Sequence, residues 1–171
     1  MSVESTGKTA ERPAKAIYYE VALRAFDGQM QQIDQLDGKA SGTFTAASGI
    51  LAIIAGLLAL AAPSKGSVTA LSLAVFLAGL VAYVATAAFL LSAFRIRAWN
   101  FGPELESVAR ETGLRDVDVI QDWVADSYVE AVGLNRRDVN QKSQLINYGL
   151  YGLLGESVVL ALAIGSILFV R

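Results

Sequence analysis

SQLINYGLYGLLGESVVLALAIGSILFV, residues 143–170, decides the fold of this chain. Its 28 residues hold a single acidic or basic side chain, Glu156. A helix rises about 1.5 Å per residue, so the stretch can cross a hydrocarbon layer of roughly 30 Å. Two more runs share this character. GTFTAASGILAIIAGLLALAA covers residues 42–62, and a run of 27 residues covers 68–94, neither with an Asp, Glu, Lys or Arg. In lipid every backbone N–H and C=O must be satisfied within its own segment, which leaves the helix as the structure for such runs. The expected fold class is therefore all-α, an integral membrane helical bundle with transmembrane helices at 42–62, 68–94 and 143–170.

Working outward, 171 residues with most of the apolar content in three spans leave no room for a large soluble domain. The net charge of −2 and the lack of a basic stripe interleaved with aromatics give no basis for a nucleic-acid partner. The chain has no Cys, which excludes disulfide and thiol chemistry. It also has no His, which removes imidazole catalysis and the commonest metal ligand. No nucleophile–base pair can be named, so neither catalytic residues nor a cofactor are expected, and an enzyme is not. Residues 1–41 carry eleven charges of mixed sign, unlike a cleavable signal, and the first span would serve as the insertion signal.

Twelve of the fourteen basic residues fall before the first span or in 95–142. The positive-inside bias then places the N-terminus and 95–142 in the cytoplasm of a bacterial inner membrane protein, and the C-terminus outside.

The cytoplasmic portion divides further. Residues 1–13 are expected as a disordered tail and 14–41 as an amphipathic helix, with Leu23, Phe26, Met30 and Ile33 at spacings of 3, 4 and 3. That helix should continue into the first span, with a bend at Gly38 or Gly42. In the 95–142 region, Asn100-Phe101-Gly102-Pro103 breaks the second helix, and Pro103 suits the first position of a short one ending at Thr112-Gly113. Asp116 or Asp118 can cap the next helix. It carries Val117, Ile120, Val124, Ser127, Ala131 and Leu134 as a heptad seam, with Trp123 and Tyr128 flanking it. No Pro follows, so this helix is expected to run unbroken into the third span. Asp116, Asp118, Asp122 and Asp126 are read as a solvated face rather than a metal site.

Helices in lipid pack closely through small residues. The candidates are Thr45, Gly49, Ala52, Gly56 and Ala59 in the first span; Ser72, Gly79, Ala82 and Thr86 in the second; and Gly149, Gly152, Glu156, Val159, Ala163 and Ser166 in the third. Glu156 lies near the middle of its run. An ionised carboxylate there would cost several kcal/mol, which favours a protonated, hydrogen-bonded or water-lining group. Thr45, Ser48, Tyr83 and Thr86 are partners by type. Glu156 is read either as a pore-lining, proton-responsive or oligomer-holding residue, or as a bonded carboxyl inside the bundle.

One resemblance adds to this. Ile33-Asp34-Gln35-Leu36-Asp37-Gly38-Lys39-Ala40 leads into the first span, and Asp37, Lys39 and Ala40 resemble the Asp-x-Lys-Ala entry motif of bacterial Pycsar-type transmembrane effectors and SLATT-like small helical membrane effectors. The second half is similar to the same group, with Trp123 and Tyr128 followed by Asn135 and then Lys142 at the entrance to the last span. The resemblance implies an oligomeric membrane effector that responds to a nucleotide second messenger or a partner and perturbs the inner membrane in antiphage defence. Beside it stand two other functions: a structural or adaptor membrane protein assembling through its cytoplasmic helices, or a small channel or transporter. Membrane lipid and further copies of the chain are the partners common to these.

Overall fold

A computed structural model describes residues 6–61, 70–96, 99–112 and 116–169. Among them are four helices and no strand: α1 (Thr6–Ala61), α2 (Ala70–Arg95), α3 (Leu105–Thr112) and α4 (Val117–Phe169). Helices α1, α2 and α4 are each long and apolar enough to cross a membrane, and the chain is an all-α membrane protein. Both continuities expected from the sequence hold: α1 enters the first span without a break, and α4 runs from the polar segment through the third.

Glycines at 28, 38 and 42 do not interrupt α1. Each weakens a helix by up to about 1 kcal/mol relative to Ala, but a chain that must satisfy its own backbone bonds in lipid gains nothing by opening there. The helix is continuous through Gly38 and Gly42, the positions expected to bend it. At the N-terminus, residues 1–5 lie outside the described residues, and α1 already includes the stretch from Thr6 to Pro13. Helix α3 starts at Leu105, with Val108 N–H bonding the Glu104 carbonyl at 3.0 Å. Pro103 thus precedes the helix rather than occupying its first position. The Asp116 carbonyl accepts from Ile120 N–H at 3.2 Å, placing Asp116 at the cap of α4 as expected. The C-terminal cap proposed for Gly113 lies outside the described residues.

The chain forms two compact units. The first comprises Met1–Asp34 and Ala98–Asn140. Its α1 buries Ala22 and Ile33, with Leu23, Phe26 and Met30 half-buried. Its α4 buries Val124, Ala125, Ala131, Asn135 and Val139. Phe26 stacks on Tyr128 at 5.0 Å, and Tyr19 approaches the same ring at 6.4 Å. Such aromatic pairs contribute about 0.5–1.5 kcal/mol beyond area burial. Gly102 holds the turn against this cluster at φ 81°, and a Cβ there would lie 2.9 Å from the Tyr128 ring.

The second unit comprises Gln35–Arg97 and Gln141–Arg171. Here every helix buries residues seven apart: Leu36 and Thr43, and Ala40, Ala47 and Ile54, on α1; Gly79, Thr86 and Ala93 on α2; Lys142, Gly149, Glu156 and Ala163 on α4. A seven-residue repeat keeps one stripe of each helix facing its neighbours and is the signature of left-handed, knobs-into-holes packing.

Replacing Gly102 by Ala should destabilise the detergent-solubilised protein by about 1–2 kcal/mol, from the positive φ and the collision with Tyr128. A lowered thermal unfolding midpoint with unchanged helix content at low temperature would register it; an unchanged midpoint would refute it.

Candidate functional site

Two polar constellations in the second unit and one in the first account for the singled-out residues. At the entrance to the first span, Asp37 and Lys142 form an ion pair of 2.7 Å. The Lys142 side chain is only 1% exposed, whereas that of Asp37 is 43% exposed. An ammonium group is costly to bury without a carboxylate and hydrogen-bond acceptors around it, so this pairing fixes the register of α4 against α1. Ala40, fully buried one turn past Leu36, supplies the small side chain that close approach needs. Lys39 points elsewhere and is exposed.

Deeper in this unit lies Glu156, 1% exposed. Neither of its carboxyl oxygens meets a hydrogen-bonding partner in good geometry among the described residues. The polar group beside it is the Thr86 hydroxyl, which is itself fully buried and donates to the Ala82 carbonyl at 2.9 Å. Thr86 thus bonds the preceding turn of its own helix while standing as the polar neighbour of the carboxyl. Glycines make the closure possible. A Cβ on Gly152 would collide with Thr86 Oγ1, and one on Gly149 would come within 2.7 Å of Leu90. A Cβ on Gly79 would lie 3.3 and 3.4 Å from Ile54 and Val159.

Of the four partners considered for Glu156 by residue type, Thr86 alone stands beside it. Ser48 and Tyr83 face each other at 3.4 Å, and Thr45 is exposed and donates to the Ser41 carbonyl. The small stripe of the first span is also corrected: Thr45, Gly49, Ala52, Gly56 and Ala59 are all exposed, while Ala40, Thr43, Ala47 and Ile54 form the buried line. In the other two spans the expected small faces are the packed ones, except that the side chains of Ser72 and Ser166 lie outside the described residues.

In the first unit the heptad seam is displaced. Val117 and Leu134 are 70% and 57% exposed, while Asn135 is 1% exposed. The side-chain amide of Asn135 explains the shift: it accepts from Asn100 N–H and donates to the Asn100 carbonyl, both at 2.9 Å. A polar residue with both halves of its amide satisfied takes the buried position that a pattern of apolar residues assigns to Leu134. Val124 is buried as expected, with Ile120, Trp123 and Tyr128 half-buried. The acidic face is not simply solvated. Asp122 pairs with Lys15 at 2.6 Å, and Asp126 accepts from the Tyr18 hydroxyl at 2.8 Å. Gln29 adds a bond to the Val132 carbonyl at 3.1 Å. The roles of Lys15, Tyr18 and Gln29, each paired across more than a hundred residues, and of Asn100, paired across 35, leave no local periodic signal in the sequence.

The unequal burial of the ion pair predicts unequal mutants. Asp37→Asn, which leaves the buried ammonium without its carboxylate, should cost about 1–3 kcal/mol, and Lys142→Met, which keeps the volume and lets Asp37 hydrate, distinctly less. Thermal unfolding of both variants in the same detergent checks this, and the reverse order would contradict it. Comparison of the chain with protein-family models, with curated proteins and with solved structures returns no match, so its function has to be argued from these residues.

Proposed function

We propose that this chain is an oligomeric effector of the bacterial inner membrane, of the kind triggered by a nucleotide second messenger in antiphage defence, and that it perturbs membrane integrity when triggered. It acts without catalysis. The observation that carries this is the ion pair of the buried Lys142 with the half-exposed Asp37. These residues belong to the two separate halves of the effector resemblance, one before the first span and one before the last, and they meet in a single contact beside the fully buried Ala40. Asn135, the other residue of the second half, is equally buried. Under the positive-inside bias the N-terminus and 95–142 face the cytoplasm, where a second messenger would be met, and the C-terminus faces outward. A nearly central carboxyl closed off by α2 and α4 is a group whose exposure would disturb a hydrocarbon layer.

A second function, a membrane adaptor assembling through its cytoplasmic helices, is favoured by one observation: Glu156 is sealed against Thr86 inside the chain and lines no open path there. The two separate in one experiment. Overexpression in bacteria, with and without a co-expressed nucleotide cyclase, is followed by a potential-sensitive dye. The effector predicts depolarisation and growth arrest, reduced several-fold by Glu156→Ala. Harmless overexpression under both conditions would reject it. The adaptor predicts that Glu156→Gln changes nothing, while a charge at Ile120 reduces the oligomer mass in nanodiscs.

A further inference from the structure

Beside the Asp37–Lys142 pair, α1 and α4 leave an open groove of about 420 Å³ within the second unit. Lys39, Gly42 and Thr43 line it from α1, and Ser143, Asn147 and Leu150 from α4. Three of these carry polar groups with no partner among the described residues. The Lys39 ammonium forms no ion pair, and neither the Ser143 hydroxyl nor the Asn147 amide forms a side-chain hydrogen bond. Elsewhere in the unit Thr43, Thr45, Ser48, Thr86, Ser92 and Ser157 each donate to the carbonyl four residues back. Ser143 and Asn147 are one turn apart on α4, on the same face of the helix.

The groove therefore gathers one cation and two neutral donors at its rim. Its floor is different. Leu36 and Ile146 are buried there, and Leu150 extends the apolar lining along the span. Asp37, two residues before Lys39, is already paired with Lys142, and no acidic residue lines the groove, so Lys39 gives its rim a positive charge. Gly42 leaves room: a Cβ on it would meet no atom within 4 Å.

We propose that this groove is a binding site for an anionic phospholipid, whose phosphate is held by Lys39, Ser143 and Asn147 and whose glycerol and first acyl carbons lie on Leu36, Ile146 and Leu150. Basic pockets between spanning helices hold anionic headgroups in this way: the cation supplies the attraction and the apolar wall excludes a freely dissolved ion. The site rests on the chain spanning a membrane but not on effector activity, and its test reads lipid retention rather than depolarisation.

The full-length protein is purified in mild detergent and exposed to phosphatidylglycerol, to phosphatidylcholine with the same acyl chains, or to inorganic phosphate, and bound lipid is counted by native mass spectrometry. Phosphatidylglycerol should be retained several-fold over phosphatidylcholine and should not be displaced by inorganic phosphate. Lys39→Glu, at an exposed position, should erase the preference. Gly42→Leu should fill the groove and remove both lipids, with circular dichroism showing an unchanged helix content in each variant. Equal retention of the two lipids, displacement by phosphate alone, or a preference that survives Lys39→Glu in folded protein would overturn the proposal.

Discussion

The close approach of α4 to α2 at Gly152 and Thr86 is the contact on which the membrane bundle depends. A Cβ at 152 would occupy the space of the Thr86 hydroxyl, so the two backbones lie as near as a glycine permits. In hydrocarbon no hydrophobic force presses helices together, and dispersion contacts of this closeness take its place. Gly149 against Leu90 and Gly79 against Ile54 and Val159 repeat the device at other depths. The burial of Glu156 follows from it, since the carboxyl is enclosed by the helices that these glycines bring together.

The same packing imposes a rule on polar groups, and each constellation meets it differently. Lys142 is neutralised by Asp37, and Asn135 has both ends of its amide bonded to Asn100. Thr86 donates to the preceding turn, and Glu156 has that hydroxyl as its polar neighbour. The first two are fully paired and therefore hold elements in register. Among the described residues of the membrane bundle, Glu156 is the buried polar group whose carboxyl oxygens find no hydrogen-bond partner in good geometry, which is why the depolarisation test replaces it.

Ser143 and Asn147 are a different exception. They lie on the rim of a groove and not inside a contact, so their missing partners can come from a lipid. Phosphate recognition there and closure at Glu156 involve separate residues of the same unit, which lets lipid binding and membrane perturbation be measured independently.

Much was legible in the sequence alone. Three runs free of charge fix three helices by hydrogen-bond necessity, because their length and composition are local properties. The lack of any Pro after Pro103 foretold the single long α4, and the small residues of the second and third spans marked their packed faces. Other features awaited the tertiary structure. Leu134 fits an apolar heptad as well as any residue, yet Asn135 is buried, because Asn100 supplies the bonds that make its burial tolerable. The glycines of the first span look like those of the third, but only Gly149 and Gly152 of the latter are closely approached by a neighbour. Asp37 could have been an interfacial anchor, and only the position of Lys142, far along the chain, makes it the partner of a buried ammonium. Periodicity reports which residues can share a face; which face is buried depends on partners that the sequence places a hundred residues away.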